Sequence, residues 1–434
     1  MAEATTKDDI ADIPLELAEP LFQPQSFADR KRIEEVFRTL RTDYPLNQAK
    51  VPGYDPHWIV TRMADLKEIA RQDDIFLSAE RSKTLISQAG EQLVLQYTGG
   101  DHNLFHTLVQ MDAPEHRKYR AVTNPSVSLA SVRDLRPVAE EIAAEFVDKL
   151  AAAQPTCDFT KTIAFHYPLK VILTILGVPE KDHAMMLRLT HWLFTYADPD
   201  MKRPGSDPTD PEEITRTWKI VIDEFEKYYR PFVAERQRCP MHDLGSVIAN
   251  GEIDGGPLEE TRLLHYLIIV STAGHDTTAA ATGTAMWILA ERPDLLKELK
   301  ADPSLIPGFV DETIRWATPV QVFVRTAAQD YDISGRTIRK GDRVYLSYLS
   351  ANRDEETFAD PDKFDAHRKP NRHVGFGFGA HTCLGIHLAR MELIVFWETL
   401  LPRLESVELD GAPKMTESEF VCGPKSVPIR FSMT

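Results

Sequence analysis

The chain has 434 residues, of which 43% are hydrophobic, so it can form a large core in one large domain or in several ordinary ones. Its formal net charge of −16 makes nucleic acid and anionic membranes poor candidates as partners. The four cysteines are irregularly spaced, which argues against a disulfide framework and indicates a reducing compartment.

The N-terminal part of the chain predicts little regular structure before the first helix. Residues 1–25 are polar and acidic and lack a basic end followed by an apolar stretch, so they predict a flexible leader rather than a signal peptide. A helical pattern follows at 28–43, and 58–61 has the composition of a strand. No apolar run approaches membrane-spanning length, and we therefore expect a cytoplasmic protein without membrane contact.

The middle of the chain, from 112 to 299, has an almost wholly helical pattern. Loops rich in Pro, Gly and Asp separate the helices. The longest of them is predicted at 258–291, where no proline interrupts the pattern. Other examples are predicted at 139–152, 179–196 and 213–237.

The last third of the chain changes to strand spacing. Residues 318–349 alternate as strands do, with turns at 334–335 and 340–341. An irregular stretch at 352–382 precedes a helix at 383–401, and short strands close the chain. Because neither a repeat nor a linker divides the sequence, 26–434 predict a single domain of the mainly α (α+β) class with a small side sheet.

The sequence Ala273-Gly274-His275-Asp276-Thr277-Thr278 lies in the middle of the long predicted helix. Glycine and two adjacent threonines are poor helix formers. A hydroxyl that donates to a carbonyl one turn earlier can open a helix locally and form a groove. The alternative is a solvated patch, but the apolar residues at 267–270 and the alanines at 279–281 indicate burial.

Several charged residues have a simple explanation when each is considered alone. Glu312 and Arg315 share one face of a helix predicted at 307–316, and a surface pair of this kind contributes less than about 1 kcal/mol. The basic residues His116, Arg120, Arg325 and His381 are individually typical of solvent-exposed cations.

The strongest signal is Phe376-Gly377-Phe378-Gly379-Ala380-His381-Thr382-Cys383-Leu384-Gly385. Its glycines allow the backbone to pass close to a flat ligand or to turn with positive φ. Cys383 is predicted as the first residue of the following helix, whose free amides and positive end favour a thiolate over a thiol.

Three other interpretations of this loop compete. A zinc site from His381, Cys383 and His387 lacks a fourth ligand nearby. A dinucleotide-binding loop, which the glycine spacing partly fits, lacks the preceding strand and the acidic partner downstream. An ordinary buried cysteine is the default for a lone Cys, but it leaves the phenylalanine–glycine spacing unexplained.

The loop resembles the haem-binding loop of the cytochrome P-450 superfamily, with Phe376, Gly379, Cys383 and Gly385 at the family's positions. The resemblance extends from about Ala28 to the end of the chain. It implies a haem-thiolate monooxygenase that holds haem b, with Cys383 as the ligand of the iron. A thiolate ligand pushes electron density toward dioxygen and favours cleavage of the O–O bond.

The resemblance also implies roles for the other segments. The central segment resembles the family's acid–alcohol pair, in which Asp276 delivers protons, Thr277 stabilises the activated oxygen and the small Ala273 leaves room for dioxygen. Glu312 and Arg315 resemble the Glu-x-x-Arg core pair, which would contact the loop near 364–368 and shape the haem pocket. The implied partners of the haem propionates are His116, Arg120, Arg325 and His381.

Stretches at 53–56, 351–356, 370–373 and 423–431 resemble the bacterial α-terpineol hydroxylase group in particular. This resemblance implies a small hydrophobic substrate, either a monoterpenoid or an alkyl-substituted aromatic. It also implies a monomer that receives electrons from a two-iron, two-sulfur ferredoxin and an NADH-dependent reductase. Residues expected to line the substrate pocket, each with a core-packing alternative, are Phe105, Leu108, Trp192, Ile269, Val322, Phe323 and Val421.

A basic docking face for an acidic ferredoxin is predicted on the cysteine side of the fold, with ordinary solvated cations as the alternative. The residues predicted to form this face are Arg117, Lys118, Arg368, Lys369, Arg372 and Arg390.

Two other functional classes stay open at this point. One is a peroxide-using haem-thiolate enzyme, against which the retained pair Asp276 and Thr277 argues. The other is a non-catalytic haem sensor or carrier.

Overall fold

The structure is a computed structural model, and it describes residues 12–434. Its helices account for most of the regular structure, as the sequence predicts. Their bounds are α1 Leu15–Ala18, α2 Arg30–Asp43, α3 Met63–Arg71, α4 Gln88–Thr98, α5 Glu115–Thr123, α6 Leu129–Ala152, α7 Tyr167–Leu176, α8 His183–Phe194, α9 Pro211–Arg238, α10 Leu244–Ala249, α11 Glu260–Ala273, α12 Asp276–Glu291, α13 Pro293–Ala301, α14 Ile306–Ala317, α15 Tyr348–Ala351 and α16 Ile386–Leu400.

The strands form one five-stranded sheet, one three-stranded sheet and three hairpins within the described residues. The five-stranded sheet has the order β1-β2-β10-β7-β3, with β2 and β10 parallel and the other neighbours antiparallel. The three-stranded sheet has the order β11-β14-β4. The strand bounds are β1 Asn47–Ala49, β2 His57–Val60, β3 Phe76–Leu77, β4 Thr156–Asp158, β5 Glu252–Ile253, β6 Gly256–Pro257, β7 Val322–Ala327, β8 Tyr331–Ile333, β9 Arg336–Ile338, β10 Arg343–Ser347, β11 Leu404–Leu409, β12 Lys414–Met415, β13 Pro424–Ser426 and β14 Pro428–Met433.

The described part of the predicted leader is folded, so that prediction is wrong for 12–25. Helix α1 and a 3-10 helix at Glu19–Phe22 pack against the five-stranded sheet. Leu21 and Phe22 are buried there, and the Phe22 ring lies 4.9 Å from the ring of Tyr54. The leader was predicted to be flexible because of its acidic composition, which drew attention away from a short apolar stretch that packs against the sheet. Residues 1–11 lie outside the described residues.

The long helix predicted at 258–291 is two helices, α11 and α12, divided at Gly274 and His275. The Thr277 hydroxyl donates to the carbonyl of Ala273 at 3.0 Å, and the Thr278 hydroxyl donates to the carbonyl of Gly274 at 3.3 Å. These side chains satisfy carbonyls at the end of α11, which confirms the predicted opening of the helix at this segment.

Four hydrophobic clusters hold these elements together. The largest joins α6, α12, α14 and α16, and it fixes the helix that follows the cysteine loop. The two faces of the five-stranded sheet belong to two further clusters. None of the helices within 12–434 combines the length and the apolar composition needed to cross a bilayer.

The sheet contains a buried histidine that makes the stability of the fold depend on pH. Burial, together with the neighbouring Arg343, lowers the pKa of His57 from 6.5 to about 3. The ring remains neutral and donates from Nδ1 to the carbonyl of Asp55 at 2.7 Å. Below pH 6.5 the unfolded chain therefore binds a proton that the folded chain does not bind until about pH 3.

We expect this group to remove about 1.4 kcal/mol of stability for each pH unit between 6.5 and 3. The measurement is urea unfolding at pH 7 and pH 5. His57→Asn should lose about 2 kcal/mol less than the unmodified protein over that interval, because it does not titrate there. His242→Asn, at an exposed position, is the matched control and should keep the full dependence. Equal dependence in both variants would contradict the prediction.

Candidate active site

The cysteine loop is held by its own backbone hydrogen bonds. The amide of Cys383 donates to the carbonyl of Phe376 at 2.8 Å, and the amide of Gly377 donates to the carbonyl of Val374 at 2.8 Å. Helix α16 begins at Ile386, so the prediction that Cys383 is its first residue is wrong by three residues. Residues 383–385 turn the chain before the helix starts, and Gly385 is its N-cap.

Burial controls the thiol more strongly than the nearby helix end does. Although the side chain of Cys383 is accessible, the surrounding protein raises the pKa of its thiol. The amide of Gly385 and the cations Arg120 and Arg390 act in the opposite direction. The prediction that the helix end favours a thiolate therefore does not hold for the protein groups alone, because desolvation outweighs them. A coordinated metal ion deprotonates such a thiol.

Gly379 requires both a special backbone conformation and the absence of a side chain. Its φ is +74°, and a Cβ atom built there would lie 2.1 Å from the carbonyl oxygen of Ala70 in α3. This close approach fixes the loop against α3.

We expect Gly379→Ala to cost more stability than Gly335→Ala. Gly335 lies in the turn between β8 and β9 with a φ of +73°, and nothing lies within 4 Å of its added Cβ. The control therefore measures the backbone cost alone, about 1–2 kcal/mol. Gly379→Ala adds a clash with main-chain atoms, which should cost about a further 1–3 kcal/mol of stability. Equal free energies of unfolding for the two variants would contradict the tight contact.

The four predicted propionate partners come together in the structure. The rings of His116 and His381 stack with centroids 4.2 Å apart. Lys83, Arg325, His116 and Arg120 all lower the pKa of His381, after the larger effect of burial. Burial and Arg120 likewise lower the pKa of His116 to about 4. The structure therefore contains a cluster of basic side chains at one place.

Lys83 also belongs to this cluster, although it was not predicted from the sequence. Its ammonium group lies 3.3 Å from Nδ1 of His381 and 3.3 Å from the Ser78 hydroxyl, and the residue is 2% exposed. Burial and Arg325 lower its pKa well below the ordinary value. Because an ammonium group only donates, Nδ1 of His381 accepts, and Nε2 donates to Ser78. Both ring nitrogens of His381 thus have protein partners in this structure, so neither a zinc ion nor a propionate could bind one of them without displacing that partner.

Asp276 is a buried carboxylate between two histidines. Its Oδ1 lies 3.0 Å from Nε2 of His275 and 3.5 Å from Nε2 of His191 in α8. These two neighbours lower the pKa of Asp276 despite its burial, which acts in the opposite direction. Among the described residues, Oδ2 has no hydrogen-bond partner. The adjacent Thr277 lines a cavity, so an acid and an alcohol occur side by side at the helix break.

That cavity, called the central cavity below, has a volume of about 180 Å³. Ala273 and Thr277 line it on the central helices, and Ser82 and Thr84, on either side of Lys83, line it near the basic cluster. Four of the residues predicted for the substrate pocket also line it, namely Phe105, Ile269, Phe323 and Val421.

Three residues predicted for the pocket lie elsewhere. Val322 packs on the opposite face of β7 from Phe323, because successive strand residues point to opposite faces. Leu108 is buried in a core cluster with Met111 and Tyr119. Trp192 lines a separate cavity of about 1020 Å³, where Arg188 lies 5.4 Å from its ring.

Glu312 and Arg315 form a fully buried pair rather than a surface salt bridge. Arg315 donates to Glu312 at 2.7 and 2.8 Å and to the carbonyls of Asn352 and Pro361 at 2.8 Å. The predicted contact with the loop at 364–368 is confirmed, since the amide of Asp365 donates to Glu312 at 3.0 Å. The pair thus joins α14 to the irregular stretch before the cysteine loop.

The family model described as Cytochrome P450 matches residues 30–305 and 304–431. The chain belongs to the cytochrome P450 family.

Individual relatives of known name cover almost the whole chain. Cytochrome P450-terp of a Pseudomonas species is 42% identical over 422 residues, which are 97% of this chain and 99% of the relative. This similarity confirms the predicted resemblance to the α-terpineol hydroxylase group. The Steroid C26-monooxygenase of Rhodococcus jostii is 31% identical over 415 residues, which are 94% of this chain and 83% of the relative.

Solved P450 structures have the same fold. The crystal structure of CYP108D1 from Novosphingobium aromaticivorans superposes with a TM-score of 0.90 at 37% identity and covers 98% of this chain and 100% of that one. The Mycobacterium marinum P450 CYP268A2 in complex with pseudoionone superposes with a TM-score of 0.84 at 29% identity, covering 99% and 100%. The protein is thus a haem monooxygenase of the P450 type, and its cofactor is haem b.

The residues present fit this P450 cofactor. Lys83 and Arg325 are buried basic side chains, and the carboxylate of Asp112, which also accepts the amides of Ser78 and Ala79 at 2.7 and 2.9 Å, attracts both. Burying basic groups with so little compensating negative charge is costly, and two propionate carboxylates are the groups that would supply it. Cys383 supplies the thiol, on a loop whose glycines allow close approach of a flat ring.

Proposed function

We propose that the protein hydroxylates a C–H bond of a small hydrophobic molecule, either a monoterpenoid or an alkyl-substituted aromatic. The observation that carries this proposal is the central cavity, which Phe105, Ile269 and Phe323 line together with Thr277. Its volume of about 180 Å³ is below the range of about 300–1,000 Å³ typical of sites for drug-sized ligands. The similarity to cytochrome P450-terp supports the same substrate size.

The chain's own residues would act in three ways. When bound, haem with a thiolate ligand supplies the reductive cleavage of dioxygen, so that one oxygen atom enters the substrate and the other leaves as water. Cys383 would hold the iron, and the basic cluster of Lys83, His116, Arg120, Arg325 and His381 would hold the propionates. Asp276 would deliver protons, with Thr277 and Ala273 at the cavity wall.

The direct test is a titration of the ferric holoenzyme with monoterpenes and alkylbenzenes, monitored at the Soret band. A substrate that displaces water from the iron shifts the band, and turnover with ferredoxin, reductase and NADH should then give a hydroxylated product. Product from peroxide alone would indicate the peroxide-using alternative. Tight binding without turnover in a reduced, aerobic sample would indicate a sensor or carrier.

We further propose that the electron donor is an acidic two-iron, two-sulfur ferredoxin, reduced by an NADH-dependent reductase, and that the chain acts as a monomer. Lys67 and Arg71 of α3 lie 5.3 and 5.1 Å from the ring centre of Phe378 in the cysteine loop. Arg372 contributes to lowering the pKa of Lys67, after burial, which shows that it is close. We assign these residues to a basic face at the cysteine loop, together with the predicted and exposed Arg117 and Lys369, of which Arg117 lies 3.7 Å from Asp73.

One residue predicted for this face serves the interior instead. Arg368 donates to Glu312 and to three carbonyl groups, and only 9% of its side chain is exposed. Arg390 pairs with Asp311 at 2.8 Å, yet 34% of its side chain is exposed and it lies 5.0 Å from the ring centre of Phe376 in the cysteine loop, so it stays a candidate for the face. Arg372→Glu should slow reduction by ferredoxin at low salt and lose this effect at high salt, because ions screen exposed charges. Equal reduction rates in the variant and the unmodified protein at low salt would count against the basic face.

A further inference from the structure

The central cavity contains a carboxyl group that the proposed chemistry does not use. Glu419 lines the cavity and is 4% exposed. Its Oε1 accepts a hydrogen bond from the Tyr196 hydroxyl at 3.0 Å. Within residues 12–434, its buried Oε2 has no hydrogen-bond partner. Leaving such an atom unsatisfied is unfavourable, and an unsatisfied group of this kind in a native structure requires an explanation.

The backbone around Glu419 is fixed, so the carboxyl group is positioned rather than free to turn away. The Ser418 hydroxyl accepts the amides of Phe420 and Val421, both at 3.2 Å, and donates to the carbonyl of Phe194 at 3.2 Å. The carbonyl of Phe420 accepts the amide of Gln321 at 2.8 Å. This turn is therefore tied both to the end of α8 and to the strand segment that borders the cavity.

The surroundings favour a neutral acid at this position. Burial raises the pKa of Glu419. The groups that interact with it electrostatically include the phenols Tyr54, Tyr196 and Tyr345. When the carboxyl group is neutral and Oε1 accepts from Tyr196, Oε2 carries the proton and donates. Such a donor, in an otherwise apolar cavity, is complementary to one oxygen acceptor.

We propose that Glu419, positioned by Tyr196, binds a single hydroxyl or carbonyl oxygen of an otherwise hydrophobic substrate. This inference rests on the proposed function, since the substrate must enter the central cavity, and it narrows the substrate class to alcohols and ketones. The oxygen bound at Glu419 fixes the orientation of the molecule, which apolar walls alone leave weakly defined.

The test compares ligands that share one carbon skeleton: p-menthane, menthol and menthone. Their dissociation constants are measured by Soret titration of the ferric holoenzyme. Glu419→Met should lower the ratio of the p-menthane constant to the menthol or menthone constant about three- to tenfold, as expected for one hydrogen bond. Glu417→Met, two residues away and outside the cavity lining, is the matched control and should keep the ratio of the unmodified protein.

A second measurement needs no variant. In the unmodified holoenzyme, the infrared band of the protonated carboxyl group should shift when menthol or menthone binds and stay in place with p-menthane. An unchanged ratio in Glu419→Met, or a carboxyl band that menthol does not move, would overturn this inference alone. If none of the three ligands shifts the Soret band, both this inference and the proposed function are wrong.

Discussion

Asp276→Asn is expected to lower the rate of NADH-driven product formation about 10²- to 10⁴-fold, the usual contribution of a positioned general acid or base. The carboxylate lies between His275 and His191, and these neighbours lower its pKa. An asparagine can occupy the same space but cannot exchange a proton. The variant should therefore still bind haem and substrate, and NADH consumption should become uncoupled from product formation.

The matched control for this experiment is Asp294→Asn, whose side chain is 65% exposed and pairs with Arg292 on the surface. It should leave the rate unchanged. A wild-type rate in Asp276→Asn would show that protons reach the site by another route. An equal loss in substrate binding and in rate would instead indicate that the substitution disturbs the helix break between α11 and α12.

Glu312→Gln is expected to reduce the free energy of unfolding by about 3–5 kcal/mol, because it leaves the buried Arg315 without its counter-charge. Neither side chain of the pair is exposed. Glu312 also accepts from Arg368 at 3.2 Å and from Asn371 at 3.0 Å. The measurement is urea unfolding of the holoenzyme, monitored by circular dichroism and by haem absorbance. Both signals should shift to lower denaturant concentration.

Glu298→Gln, at a partly exposed site that contacts His367, is the control and should change stability by less than about 0.5 kcal/mol. If Glu312→Gln and Glu298→Gln reduce the free energy of unfolding equally, the burial of the Glu312–Arg315 pair does not explain the loss of stability.

Periodicity predicted the fold where an element buries one apolar face. Helices α2, α9 and α14 occur within a few residues of their predicted bounds, and the turns at 334–335 and 340–341 are present. The apolar pattern continued across Gly274 and His275, so it predicted one continuous helix. The structure has two helices there, α11 and α12, and the threonine hydroxyls donate to carbonyl groups at the break between them. The start of α16 was placed three residues too early because the apolar pattern of the helix includes Leu384, whereas residues 383–385 form a turn.

The candidate site was predictable where residues form a local motif. The cysteine loop and the acid–alcohol segment are each contiguous in the sequence. Lys83 and Glu419 were missed because they reach the site from segments without a motif, through contacts with Ser78, His381 and Tyr196. The predicted pocket residues Leu108, Trp192 and Val322 do not line the central cavity, because composition does not specify which side of an element faces a cavity.

The most direct test of the account is the absorption spectrum of the holoenzyme after reduction with dithionite and exposure to carbon monoxide. We predict a strongly red-shifted Soret band, as expected for the proposed ligation of the iron by the Cys383 thiolate. Cys383→Ser should lose that band, whereas Cys422→Ser, at a buried position in the core around the five-stranded sheet, should keep it. An unshifted band in the unmodified protein would mean ligation by a neutral thiol or by histidine, and would contradict the assignment of Cys383.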